Sequence, residues 1–269
     1  MAAHPGRKHI LILVAAAALL AAAVAALLAV RASDEASCRS FSAPGTEVWL
    51  VLGQSNAANH AEARTEAGPA VAAFDGRRCI AARDPLPGGT GTGGSLWPTL
   101  GDAWVSRGAA GRVIVAMVAQ ESTPVSRWQP GGRLHRRTMR TIDALGRRGL
   151  AVDRILWIQG EADAILGTGG EEYARALESA LAPLHRASGA PVWIALASRC
   201  GDAASAAVRA AQAAAPGRSG WARTGPDLDR IGGDGRYERC HFARRGQALA
   251  VQLWLDVLAG GNGDLTAPR

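Results

Sequence analysis

Lysine is almost missing from this 269-residue chain: Lys8 is its only one, so arginine carries nearly all of the formal charge of +7. The arginines are scattered and interleaved with acids, and the denser groups at 133–140 and 244–245 fit solvated helix faces. No zinc-finger spacing or other nucleic-acid motif accompanies them, so no nucleic-acid partner is expected. No internal repeat is visible, which sets aside solenoid and propeller architectures. No His/Cys/Asp cluster has metal-ligand spacing, so neither a metal nor another cofactor is expected. The glycines of residues 85–94 do not follow a strand, which argues against a dinucleotide or phosphate loop. There are only four cysteines, and Cys38 lacks a leucine three residues upstream, which argues against a lipoprotein attachment site.

Against these absences stands a hydrophobic content of 48%, enough for one sizeable core. Residues 10–30 form an uninterrupted apolar stretch of bilayer-spanning length, preceded by Arg7 and Lys8. This predicts an amino terminus (1–8) in the cytoplasm, a transmembrane anchor at 9–30 and a domain outside. A cleaved signal peptide is the alternative, with Val30-Arg31-Ala32-Ser33 as a weak cleavage site. Residues 31–45 read as a linker, 46–260 as one domain, and 261–269 as a flexible tail. Export makes disulfides the expected state of the four cysteines, with three possible pairings.

Short apolar runs alternate with helical periodicity along the domain. Strands are expected around residues 48–53, 113–118, 154–158 and 192–197. Helices are expected at 134–145, 173–184, 203–214 and 244–258. Tyr173, Leu177, Leu181 and Leu184, for example, recur at helical intervals. The alternation predicts a parallel sheet with helices on both faces.

The segment Val48-Trp49-Leu50-Val51-Leu52-Gly53-Gln54-Ser55-Asn56 places a hydroxyl just past a buried strand, where open α/β sheets build their sites. Alone, the segment favours a polar turn with Ser55 as an ordinary cap of the next helix. Other polar groups fall at comparable positions. Trp157-Ile158-Gln159-Gly160-Glu161-Ala162-Asp163 ends a strand with an amide and two carboxylates, and Glu238-Arg239-Cys240-His241-Phe242 precedes the last helix. His241 sits beside acids in a marked loop, and His60 is its only rival as a base.

Gly53-Gln54-Ser55-Asn56, Trp157 to Asp163 and Cys240-His241-Phe242 occur in the order seen in SGNH hydrolases. The chain most resembles the sialate O-acetylesterase and acetylxylan esterase branch. Gly94-Ser95-Leu96-Trp97-Pro98 is similar to its glycine block, Thr123-Pro124-Val125-Ser126-Arg127-Trp128 to its Thr-x-Ile-x-x-Trp segment, and Gly225-Pro226-Asp227-Leu228-Asp229 to the approach to its histidine. The resemblance spans residues 47–258. It implies a three-layer α/β/α domain with a central parallel sheet, flavodoxin-like in type. It also implies a serine esterase that deacetylates carbohydrate without a cofactor.

Carried over, Ser55 is the nucleophile and His241 its base. The N–H groups of Ser55 and Gly94 with the Gln159 side chain form the oxyanion hole, each donor worth about 10²–10³ in rate. Glu238 stands where many members have aspartate three residues before the histidine, Glu161 is the branch's other candidate acid, and Asp234 is a third choice. A second departure is Glu121-Ser122, where the branch usually has two glycines. Gln54, Asn56, Trp97 and Trp128 are candidate substrate contacts, although both tryptophans read equally as core. Cys240 adjoins the proposed base and Cys200 follows the 192–197 strand, so a Cys200–Cys240 bridge is preferred, leaving Cys38 with Cys79. The substrate expected from the resemblance is an acetylated glycan: sialate, xylan or surface polysaccharide. A lipid, thioester or other acyl ester is the alternative, and a non-catalytic carbohydrate-binding protein is a reading of another class. The oligomeric state is open.

Overall fold

Val48-Trp49-Leu50-Val51-Leu52 carries apolar side chains on both faces because it lies in β1 (Thr46–Gly53), a central strand covered on both sides. A computed structural model describes residues 12–14, 16–26, 37–39, 41 and 43–260 of the chain. β1 is flanked by two parallel neighbours, β4 (Arg112–Ala119) and β5 (Arg154–Ile158). β2 (Val71–Phe74) lies outside β4, while β6 (Val192–Leu196) and β7 (Ala222–Asp227) continue the parallel sheet beyond β5. β3 (Cys79–Ala81) pairs antiparallel on β2. The seven strands run β3-β2-β4-β1-β5-β6-β7. The sheet is therefore mostly parallel, as expected, with one antiparallel strand at this edge. Without the β2–β3 edge pair, the order is the 2-1-3-4-5 arrangement of flavodoxin-like folds, with its switch point at β1.

Alternate residues of β1 feed opposite cores. Trp49 and Val51 join α1 (Trp97–Ser106) and α6 (Arg244–Leu258), through Trp97, Leu100, Trp104, Leu253 and Trp254. Val48, Leu50 and Leu52 join α2 (Arg133–Gly146), α4 (Gly170–Ser188) and α5 (Ala206–Arg218), through Leu134, Leu145, Leu177, Leu181 and Val208. Each large apolar side chain so buried contributes roughly 1.5–3 kcal/mol relative to exposure. A short helix, α3 (Glu161–Leu166), follows β5, and a two-stranded ribbon of β8 (Arg236–Tyr237) and β9 (His241–Phe242) precedes α6.

Both disulfides are closed, Cys38–Cys79 and Cys200–Cys240, and all four cysteines are used. Residues 37–39 are helical and Cys38 is buried, so this part of the expected linker packs onto the domain. Residues 12–14 and 16–26 are helical and exposed, but among the described residues no helix is long and apolar enough to cross a membrane. The expected transmembrane helix thus has no support in the structure. The rest of the 9–30 anchor, residues 1–8, residues 31–36 and the tail 261–269 lie outside the described residues.

Candidate active site

Gly53 ends β1 with φ +138°, and a Cβ there would lie 1.8 Å from the Ile158 carbonyl oxygen. Only glycine permits this close crossing of β1 and β5. The Gln54 N–H then donates to the same carbonyl at 3.0 Å, and the chain turns into a 3-10 turn, Ser55–Ala57. Ser55 is thereby delivered to the carboxyl edge of the sheet at the switch point. It lines a cavity of about 480 Å³ with Gln54, Glu121, Ser122, Glu238 and His241. Ala162, Ile165, Leu166 and the Cys200–Cys240 bridge complete the walls.

His241 comes from β9, and the turn before it is unusual. Glu238 and Arg239 have φ of +51° and +58°, and the Cys240 N–H donates to the Tyr237 carbonyl at 3.2 Å. Left-handed backbone costs an L-residue roughly 1–2 kcal/mol. The disulfide to Cys200 and the Gly201 N–H donated to the Arg239 carbonyl at 2.9 Å hold the turn in place. His241 Nδ1 lies 3.4 Å from Glu238 Oε2. No hydrogen bond joins Ser55 and His241 among the described residues, a separation common in unliganded sites. His60, the rival base, stacks on His241 with ring centroids 5.2 Å apart. Its Nε2 is 3.1 Å from Glu121 Oε2 and 3.3 Å from Thr90 Oγ1. Burial, and secondarily His241, lowers the His60 pKa against the opposing pull of Glu121 and Glu238. Tyr237 packs on His241 and donates its hydroxyl proton to the His60 carbonyl.

The other expected site residues are placed as follows. The Gly94 N–H donates to the Ala61 carbonyl at 2.7 Å, so it is not free for an oxyanion. Gly94 is glycine because a Cβ would lie 1.7 Å from the Ala63 carbonyl oxygen. Gln159 is fully buried, and its amide nitrogen faces Asp163 Oδ2, the Thr123 carbonyl and Gln54 Oε1, more acceptors than it has protons. Its oxygen accepts from the Tyr173 hydroxyl. Gln159 therefore ties strand ends together below the cavity. Glu161 is likewise buried; its Oε1 accepts from Asn56 Nδ2 at 2.7 Å and it has no bond to His241. Burial raises its pKa. Asp234 pairs with Arg245, away from the imidazole. Trp97 and Trp128 are core residues: Trp97 donates to the Ala57 carbonyl and Trp128 packs edge-on against Trp157, leaving no face for a sugar. Asn56 is buried against Glu161, and Gln54 Oε1 accepts from the Ala162 N–H at 3.1 Å.

Ser122, Ile165 and Leu166, which were not among the expected site residues, also line the cavity. Ser122 has φ +54° in the cavity lining, the conformation that glycine favours. Among the described residues, neither the Ser55 nor the Ser122 amide N–H has a protein acceptor. The departure from two glycines at 121–122 was the available signal.

The model of the family described as "carbohydrate esterase, sialic acid-specific acetylesterase" matches residues 45–220. The chain belongs to this family. No curated protein matches the chain. Among solved structures, a protein of Arabidopsis thaliana is similar at 17% identity and TM-score 0.68, covering 81% of this chain and 99% of that one. XAC1771, a carbohydrate acetylesterase from Xanthomonas citri, is similar at 13% identity and TM-score 0.53, covering 80% and 57%. Both likenesses concern the fold. The matched span includes Ser55, Gln159 and Glu161 of this esterase but stops before Glu238 and His241.

Proposed function

We propose that the chain is an exported serine esterase that removes O-acetyl groups from carbohydrate hydroxyls through an acyl-enzyme. Ser55 Oγ attacks the acetyl carbonyl while His241 takes its proton and then returns it to the leaving sugar hydroxyl. Water, activated by the same imidazole, releases acetate. Glu238 orients the ring through Nδ1 and stabilises the imidazolium. The amide N–H groups of Ser55 and Ser122 receive the oxyanion, in place of the Gly94 and Gln159 donors expected from the resemblance. Glu161 holds Asn56 and the strand end.

The observation that carries this reading is one cavity lined by Ser55, Ser122 and His241, with Glu238 3.4 Å behind the imidazole and, among the described residues, no protein acceptor for the Ser55 and Ser122 N–H groups. The family supports acetyl as the acyl group and carbohydrate as the alcohol. XAC1771, described as a carbohydrate acetylesterase, points the same way. Two disulfides fit folding in an oxidising compartment. The test is acetate release from acetylated xylo-oligosaccharides and p-nitrophenyl acetate by the full chain and by Ser55→Ala. Hydrolysis that prefers acetyl to longer acyl groups and disappears in Ser55→Ala is expected. Full activity in the variant contradicts the mechanism, and activity confined to long acyl chains contradicts the substrate class.

A further inference from the structure

Glu238 by itself is a weak hold on the base. Its side chain is 69% exposed, it stands on the left-handed turn, and its Oε2 is 3.4 Å from His241 Nδ1. An exposed contact of this kind is worth little against solvent and side-chain entropy. The terminal torsion of a histidine is also broad, so the ring plane has to be fixed by packing.

Two aromatic rings pack on His241. The Tyr237 centroid is 5.7 Å away at 46°, and the His60 centroid is 5.2 Å away at 29°, nearer and closer to parallel. The His60 side chain is only 15% exposed, and it is tied down on several sides. Its Nε2 lies 3.1 Å from Glu121 Oε2 and 3.3 Å from Thr90 Oγ1, and its carbonyl accepts from the Tyr237 hydroxyl. Thr90 Oγ1 accepts from the Glu121 N–H at 2.9 Å, and the Thr90 carbonyl accepts from the Asn59 N–H at 2.9 Å. Three segments, around residues 60, 90 and 121, are thus locked to one another, and the ring they hold lies against the base.

His241 and Glu121 line the reactive cavity and His60 does not, so His60 meets the reaction through the base. Burial favours its neutral form, and a neutral ring does not oppose the charge that forms on His241. Residue 121 is also one of the two places where this chain departs from the glycines of the branch it resembles. A glycine there has no carboxylate to offer His60.

We propose that His60 is a positioning residue of the base: keyed by Glu121 and Thr90, its ring sets the plane of His241 so that Nε2 faces Ser55. The proposal deepens the reading of the reactive site and rests on His241 being the base.

The test is steady-state kinetics on p-nitrophenyl acetate with the full chain, at a temperature where circular dichroism shows each variant folded. His60→Ala should lower kcat roughly 10–10²-fold and leave KM within about twofold of native, the signature of a misaligned base. His60→Phe keeps a ring to stack on His241 and has no ring nitrogen, and it should restore kcat to within a few fold of native. Glu121→Ala should lower kcat less than His60→Ala does, and should cost little more when added to it, because the two act as one unit. Undiminished kcat in His60→Ala, or His60→Phe as impaired as His60→Ala, overturns the proposal. Fully additive losses from His60→Ala and Glu121→Ala overturn the part given to Glu121. Should His60→Ala not fold, a fall in kcat in Glu121→Ala together with near-native His60→Phe supports the proposal, and native kcat in Glu121→Ala overturns it. His241→Phe separates this from the reading beneath it. A silent His60→Ala beside an inactive His241→Phe overturns the positioning role alone, whereas an active His241→Phe faults the base assignment itself.

Discussion

The two disulfides close loops of nearly the same length, with sequence separations of 41 for Cys38–Cys79 and 40 for Cys200–Cys240. On the chain-entropy account each stabilises by about 4 kcal/mol, and the difference between them is negligible. Removing either pair, as Cys38→Ser with Cys79→Ser or Cys200→Ser with Cys240→Ser, should therefore lower the unfolding free energy by about the same 4 kcal/mol in urea titrations. Their effects on catalysis should differ. Cys79 lies on β3 at the sheet edge, whereas Cys240 closes the turn that carries Glu238 and precedes His241. That turn holds two non-glycine residues at positive φ, and without the bridge they can relax toward ordinary backbone. A shift of about 1 Å at an imidazole costs on the order of 10²-fold in rate. The assay is kcat on p-nitrophenyl acetate at a temperature and denaturant-free condition where both variants are folded by circular dichroism. A loss of kcat only in the Cys200/Cys240 variant is expected. Equal losses in the two variants, or an unchanged kcat when the 200–240 bridge is absent, would refute the argument that this bridge positions the base.

The two candidate acids separate by mutation. Glu238→Gln should lower kcat/KM roughly 10²-fold, while Glu161→Gln should stay within a few fold of native, since only Glu238 reaches His241. The reverse ranking would make Glu161 the orienting acid. Glu161 also predicts a pH dependence of stability. Its folded pKa is raised by burial above the ordinary 4.5, so the ionised form is disfavoured in the native state and stability is lost as pH rises from about 4.5 toward the folded value. Glu161→Gln removes that dependence, and the melting temperature of the variant should gain on the native chain across that rise; parallel curves would contradict it. Ser122→Gly keeps the amide N–H and relieves the left-handed backbone, so it should stabilise by roughly 1 kcal/mol with hydrolysis retained. A large loss of rate there would assign the Ser122 side chain a role that the geometry does not give it.

Strands that are apolar throughout were legible. β5 and α6 fall on the expected 154–158 and 244–258, because buried parallel strands and a terminal amphipathic helix write their periods plainly. β7 was not legible: Ala222–Asp227 contains Gly225 and Pro226 and has no apolar alternation, since it is an edge strand held by β6 on one side. α1 was hidden in the glycine block by Pro98 and Gly101, although Trp97, Leu100 and Trp104 share one face. At the site, Ser55 and His241 could be singled out as candidates because chemistry restricts the residue type, and both line the one cavity. A glycine needed for close packing, as Gly94 is against the Ala63 carbonyl, and a glycine needed at an oxyanion hole look alike in sequence. The partners of the Gln159 amide, which serves the strand ends in three directions, were likewise not legible. The proposed use of the Ser122 N–H was not legible because a backbone N–H carries no residue signature; only the departure from two glycines marked the place.

The central claim is a covalent acetyl intermediate on Ser55. Rapid acid quenching of the full chain with p-nitrophenyl acetate, followed by peptide mass spectrometry, reads it directly. An acetyl adduct on Ser55, formed with the p-nitrophenol burst and lost as acetate appears, is the expected result. Turnover without an adduct on Ser55, or an acetyl group that accumulates on His60 or another residue at the turnover rate, would contradict the account.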